Sequence, residues 1–197
     1  PTKIVNAAEG SIITTNNYKI YKTALILREH GKTNKFVNNH SELGYNWRFS
    51  ELHALLGLQQ LNKLKSIISE RNKIARYYDR KLKDSNNLTK LKLSKKNCCS
   101  YYKYVIFVDK EKKNKIKKII KNKFNIILPG EVYDYMCHEQ PVFKKYKNKI
   151  INFKENLNNS NTLRKVQLCL PLYRGLKEKN LNYLINSLNK TIEILEK

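Results

Sequence analysis

Lys3 is one lysine among many, but its neighbourhood is less ordinary. Pro1 and Thr2 precede it, and the small residues Ala7, Ala8, Gly10 and Ser11 follow within a few positions. Small residues let backbone approach a bulky ligand closely. A lysine before such a turn is placed to form an imine with an aldehyde cofactor. A surface lysine beside a tight turn has the same local sequence, so these residues alone leave both readings open. The four cysteines are less suggestive. Cys98 and Cys99 are adjacent, Cys137 and Cys169 are isolated, and no C-x-x-C pair is present. That pattern is not zinc spacing and reads as ordinary reduced thiols.

The elements that would position Lys3 follow it directly. Ser11–Thr15 is short and β-branched and predicts a strand. Thr15–Asn17 offers a cap for a helix with Tyr18, Tyr21, Ala24, Leu25 and Arg28 on one stripe, and Gly31 stops it. Residues 32–43 predict a loop. Ser50 is a candidate N-cap, with Glu51 at the positive end of the helix dipole. Leu52, Leu55, Leu56, Leu61, Leu64, Ile68, Ala75 and Tyr78 recur at helical spacing as far as about Lys83. That length predicts two helices or one kinked helix.

Asp84–Asn97 is polar and suits a crossing between domains. Tyr104–Val108 predicts a buried strand. Ile116, Ile119 and Ile120 mark an amphipathic helix with a lysine-rich outer face. Asn125–Leu128 predicts a second short strand, ending at Pro129-Gly130. Leu181, Leu184, Ile185, Leu188, Ile192 and Leu195 make the clearest stripe, that of the last helix. Alternating strands and helices indicate an α/β or α+β unit.

The net charge is +24, from 40 Lys+Arg against 16 Asp+Glu. A footprint of that size invites a nucleic-acid reading. Lysine accounts for almost all of the excess, is dispersed along the chain, and accompanies much Asn, Ile and Tyr, as AT-rich codons would produce. Arginine, the better reader of phosphates and bases, is scarce. The expectation is therefore solvated surface, with no nucleic-acid partner. No apolar run has membrane-spanning length and no signal peptide is visible. The expected setting is the cytoplasm, with no membrane partner.

Several blocks together resemble the DegT–DnrJ–StrS family of sugar aminotransferases. Pro1-Thr2-Lys3 is followed by Glu9-Gly10 and by Leu27-Arg28-Glu29-His30-Gly31. Gly44-Tyr45-Asn46-Trp47-Arg48-Phe49-Ser50-Glu51-Leu52 is similar to that family's GYNYRxSEL segment. Gly57-Leu58-Gln59-Gln60-Leu61, Arg71, Tyr77-Tyr78, His138-Glu139-Gln140-Pro141 and Leu170-Pro171-Leu172-Tyr173-Arg174-Gly175-Leu176 continue the match in order. Ser11 stands where the family has a second glycine, and Arg174 where it has a proline.

The resemblance implies an α/β fold of the fold-type I pyridoxal-phosphate (PLP) transferases. Residues 1–83 would be the end of the large cofactor domain with its linking helices. Residues 84–197 would be the small C-terminal domain. Lys3 matches the Schiff-base lysine, which bonds the cofactor's C4′ aldehyde and then shuttles a proton between Cα and C4′. Asn46 and Arg48 match positions near the cofactor phosphate of the neighbouring subunit; their amide and guanidinium donors suit phosphate oxygens. A salt bridge at a helix entry is the alternative for Arg48. His138 is the candidate contact to the substrate, with a structural hydrogen bond as its alternative. Tyr45 and Trp47 read as packing residues, and Glu9 and Gly10 as residues that shape the turn.

The implied reaction moves an amino group from glutamate to a nucleotide-linked keto-sugar, for amino-sugar and surface-polysaccharide synthesis. The implied assembly is a homodimer with shared sites. The resemblance places the acid that pairs with the pyridine nitrogen, and the residue stacked on the ring, before the matched lysine. This chain does not carry them, so on its own it is expected to be inactive. The rival readings are an inactive remnant, a PLP-dependent sugar dehydratase of the same fold, and a basic nucleic-acid-binding module. The dehydratases carry histidine in place of the lysine, and Lys3 opposes that reading.

Overall fold

Asn17 ends an extended stretch and starts the first helix. Its Oδ1 accepts from the backbone N–H of Lys19 and Ile20, at 2.9 and 3.3 Å, satisfying two of the donors a helix start leaves open. The computed structural model describes residues 3–94, 97–128, 133, 135–149 and 157–196. Pro1 and Thr2 of the lysine motif, and Pro129 and Gly130, lie outside the described residues. Within the described residues the chain divides into two compact units, 1–65 and 66–197.

The first unit holds α1 (Tyr18–Arg28) and α2 (Glu51–Asn62). Past the end of α1, His30 and Gly31 both adopt positive φ, 58° and 78°. A Cβ on Gly31 would collide with the backbone carbonyl of Glu42, so only glycine fits that crossing. The chain then returns so that Gly44–Arg48 runs beside the end of α1. Tyr45 N–H donates to Leu27 O at 2.7 Å, His30 N–H to Tyr45 O at 2.9 Å, and Trp47 N–H to Arg28 O at 3.1 Å. Ser50 caps α2, its hydroxyl accepting from His53 N–H at 3.3 Å. The strand predicted over Ser11–Thr15 does not form. Ile12 and Ile13 are 73% and 70% exposed, and no segment among the described residues pairs with them. β-propensity without a partner strand leaves extended coil.

Lys63 separates α2 from α3 (Leu64–Lys81), so the long helical pattern is two helices. The second unit contains the core. β1 (Leu88–Lys90), β2 (Tyr104–Val108) and β3 (Gln167–Leu170) form an antiparallel sheet in the order β1-β2-β3, with Thr89 opposite Phe107 and Val105 opposite Cys169. Tyr104, Ile106 and Val108 are buried while Val105 and Phe107 are half-buried, the alternation of a central strand. The core also takes Ile74, Ala75 and Tyr78 of α3, Ile116 and Ile120 of α4 (Lys113–Phe124), and Leu181, Leu184, Ile185, Leu188 and Ile192 of α7 (Glu178–Glu196).

α5 (Pro141–Lys145) and α6 (Asn158–Val166) complete the unit. The second strand expected at Asn125–Leu128 is also absent. Asn125 takes the left-handed conformation that ends α4, and Ile126 N–H closes back on Ile120 O. Leu128 is buried in the core without joining the sheet. No helix among the described residues is long and apolar enough to cross a membrane.

Candidate active site

Lys3 is exposed and opens a loop that α2 and its entry hold in place. Glu9 N–H closes a turn on Ala7 O at 2.9 Å, with Ala8 at φ 64° and Gly10 at φ 114°. A Cβ on Gly10 would strike the ring of Phe49, which lies over that position immediately before the Ser50 cap. A Cβ on Gly57 would stand 3.3 Å from the Ala7 methyl, so the loop also packs closely on α2. Glu9 and Gly10 therefore shape the turn, as their small, left-handed-tolerant neighbourhood suggested. Gly10 is fixed by both its φ and its contact with Phe49.

Asn46 and Arg48 come together in the same unit. They alternate with Tyr45 and Trp47 along the segment that Glu29 bridges at Asn46. Arg48 Nε donates to Asn46 Oδ1 at 3.1 Å, and Arg48 Nη1 lies 3.6 Å from Glu29 Oε1. Arg48 thus makes the helix-end ion pair and still has a side chain that is 57% exposed. The bond engages the Asn46 amide oxygen and one guanidinium N–H, and both residues are exposed, so amide and guanidinium donors remain to be used. Tyr45 and Trp47 stack on one another, with ring centroids 4.0 Å apart and planes 5° from parallel. Both remain more than half exposed, so their packing is mutual and not against a core.

His138 belongs to the second unit, in the 3-10 turn Cys137–Glu139. Its Nε2 is buried without a hydrogen-bond partner among the described residues, as is Asn161 Oδ1 on α6. Beside it, Glu139 Oε2 accepts from Arg164 Nη1 at 2.8 Å and from Met136 N–H at 3.2 Å, tying the turn to α6. Neither Glu29 nor the Glu139–Arg164 pair stood out by residue type. The signal for Glu29 was its place two residues before Gly31, at the end of α1. Arg164 lies in a helix without an apolar stripe and left no signal.

Other polar contacts brace the second unit. Arg71 donates from Nε to Tyr101 O and from Nη2 to Tyr102 O, both at 2.8 Å; burial lowers its pKa. The Tyr104 hydroxyl donates to Asp79 Oδ1 at 2.6 Å and the Tyr78 hydroxyl to Pro171 O at 2.7 Å. Burial raises both phenol pKa values, and for Tyr104 the hydrogen bond to Asp79 adds to the rise.

A sequence model of the DegT/DnrJ/EryC1/StrS aminotransferase family matches residues 1–189. The chain belongs to that family. Among its relatives is the UDP-4-amino-4,6-dideoxy-N-acetyl-beta-L-altrosamine transaminase of Campylobacter jejuni, 24% identical over 100% of this chain and 52% of the relative. GDP-perosamine synthase of Escherichia coli O157:H7 is 24% identical over 95% of this chain and 49% of its own length. The fold is shared with the sugar aminotransferase CalS13 of Micromonospora echinospora, at TM-score 0.79 and 12% identity, over 95% of this chain and 49% of that one. NtdA of Bacillus subtilis, solved with bound cofactor PMP, gives TM-score 0.77 at 20% identity, over 91% of this chain and 41% of NtdA. The chain spans about half the length of the curated relatives it matches.

Proposed function

We propose that this chain supplies the cofactor lysine of a PLP-dependent sugar aminotransferase. The observation that carries the reading is the exposed Lys3 on a turn held by Gly10 under Phe49, within a chain of the DegT/DnrJ/EryC1/StrS family. The residues suit a phosphate-bearing aldehyde. Lys3 offers an amine, and Asn46 with Arg48 offers amide and guanidinium donors beside an acidic partner, Glu29. Pyridoxal phosphate, when bound, supplies the aldehyde and a ring that takes up electrons.

Lys3 Nζ would hold the cofactor through its aldehyde, and as a free amine it would move a proton to and from the amino donor's Cα. Asn46 and Arg48 orient the phosphate of the partner subunit's cofactor, in a homodimer with shared sites. His138 Nε2, buried and unpartnered among the described residues, has one hydrogen bond left for the substrate.

The substrate in this reading is a nucleotide-linked keto-sugar, in line with the UDP- and GDP-sugar names of the relatives, and the donor is glutamate. The product would feed polysaccharide assembly in the cytoplasm. Most described lysines of the second unit are exposed and dispersed, so binding to DNA should be weak and lost by physiological salt. The 197-residue chain alone should show no turnover of glutamate with a nucleotide-linked keto-sugar.

Borohydride reduction of the PLP-loaded protein, followed by peptide mapping, tests the assignment. A pyridoxyl group on Lys3 is expected, and a label on another lysine overturns it. Mixing Lys3→Ala with Arg48→Ala chains tests the shared site. Each mixed dimer should regain one site that retains PLP, and absence of recovered PLP retention rejects the role of Arg48.

A further inference from the structure

One group of basic side chains departs from the even spread of lysine along the sequence. α4 carries six lysines and α6 carries Arg164 and Lys165, with no carboxylate in either helix. α7, which packs beside α4, carries Glu178, Glu193 and Glu196 against Lys179 and Lys190. A composition biased uniformly toward lysine would load both helices alike. The fold therefore concentrates, around α4 and α6, charge that is dispersed along the sequence.

A cavity of about 350 Å³ lies where these elements meet, lined by Lys110, Glu111, Lys113, Asn114, Arg164 and Lys165. That volume falls at the lower end for small-ligand sites. Lys113 Nζ donates to Arg164 O at 2.9 Å, which fixes its ammonium group where the last turn of α6 meets the start of α4. Arg164 Nη1 lies 2.8 Å from Glu139 Oε2, and Lys110 Nζ lies 3.6 Å from Glu111 Oε1. Lys113 and Arg164 are half-buried and make the floor, while Lys110, Asn114 and Lys165 are exposed at the rim. The helix start itself is already occupied. Asp109 Oδ1 accepts from Glu111 N–H at 2.8 Å and from Lys112 N–H at 3.2 Å, and Asp109 O accepts from Lys113 N–H at 3.0 Å. A ligand here is therefore held by side chains: ammonium groups, a guanidinium and an amide.

We infer that this cavity binds a small diphosphate-bearing anion, held by Lys113 and Lys165, with Lys110 and Asn114 at its edge. A compact polyanion offers several oxygens to cations that approach from two helices at once, and lysine suits phosphate as a point charge. Such an anion also relieves the repulsion between like charges that the fold has drawn together. Extended nucleic acid fits less well, because the lining holds no aromatic side chain for stacking and one arginine. The site lies wholly in the second unit and uses none of Lys3, Asn46, Arg48 and His138. It stands or falls separately from the transaminase reading.

The full chain is titrated calorimetrically with inorganic pyrophosphate at about 0.15 M salt, where exposed charges more than about 8 Å apart are largely screened. One saturable site per chain is expected. Lys165→Glu should weaken it at least about tenfold and Lys113→Gln several-fold, since each removes a charge-assisted contact. Lys121→Gln, on α4 two turns beyond Lys113, should leave the affinity within about twofold. Circular dichroism and thermal unfolding separate loss of the Lys113 contact from loss of its support for α6. Lys165 is exposed, so Lys165→Glu carries the test if Lys113→Gln unfolds. Uridine diphosphate in place of pyrophosphate identifies the source of the diphosphate. Affinity within about threefold assigns the free anion, and tightening of about tenfold that Lys165→Glu removes assigns a nucleoside diphosphate. No saturable site, an equal loss in Lys121→Gln, or binding indifferent to Lys165→Glu overturns the inference.

Discussion

Residues 1–65 and 66–197 use similar apolar side chains in opposite ways. In the second unit Tyr78, Ile106, Ile116, Ile120, Leu168 and Leu188 are fully buried around a three-stranded sheet. In the first unit Leu52, Trp47, Ile12 and Ile13 face solvent, and order comes from backbone hydrogen bonds, caps and close glycine contacts. The second unit holds its own stability. The first holds a geometry: a lysine turn under Phe49, and two donors braced on the end of α1. The residues proposed for the cofactor sit in the unit that buries least, so changing them should alter chemistry and leave stability nearly untouched.

The comparison is tested most strongly by Ile106→Ala, at the centre of the sheet. It should cost about 2–5 kcal/mol in denaturant unfolding. Leu52→Ala, exposed in the first unit, should stay within about 0.5 kcal/mol. Equal losses would show that the two units share one core.

A smaller effect belongs to Arg71. Arg71→Ala removes two charge-assisted bonds to the carbonyls of Tyr101 and Tyr102 and should cost about 2–3 kcal/mol. Arg71→Lys should recover only part of this, since an ammonium does not reproduce the guanidinium fork. Full recovery would reduce the brace to simple charge.

Alkaline pH should also act on the second unit. The Tyr78 and Tyr104 phenols have raised pKa values in the fold, so their contribution is complete below the ordinary phenol value of about 10. It is lost as pH climbs above that value. The midpoint of thermal unfolding should fall from pH 10 upward, and Tyr104→Phe should flatten the fall. An unchanged slope would remove Tyr104 from the cause.

The smallest stability effect is expected in the first unit. The Arg48–Glu29 pair is 3.6 Å long, with Arg48 exposed and Glu29 half-buried, so Arg48→Ala should shift unfolding by no more than about 0.5 kcal/mol. PLP retention should fall far more. A parallel loss of stability and retention would make Arg48 a structural residue.

Much of this was legible as local pattern. Asn17 and Ser50 announced the helices they cap, Gly31 the end of α1, and the α7 stripe the face buried in the core. Those features depend on neighbours within one turn, so sequence carries them. β1 was hidden because three residues inside a polar stretch have no readable period. α6 was hidden because its apolar positions are too few to form a stripe. β3 follows α6 without a gap, and a four-residue buried run does not by itself distinguish strand from helix.

Lys3, Asn46, Arg48 and His138 were legible as candidates through ordered motifs, whereas their partners depended on contacts between elements. The Asn46–Arg48 bond, with residues two apart on one extended segment, follows from alternation along the chain. Its setting against Glu29 needed the chain to return beside α1. The sequence by itself determined the caps, the helix stripes and the identity of the reactive groups, because each rests on residue type and short spacing. Only the tertiary structure decided that Ser11–Thr15 stays unpaired, that Phe49 closes over Gly10, and that one unit has a core while the other presents its leucines to water. Burial and strand pairing depend on what stands opposite, and that is a property of distant residues.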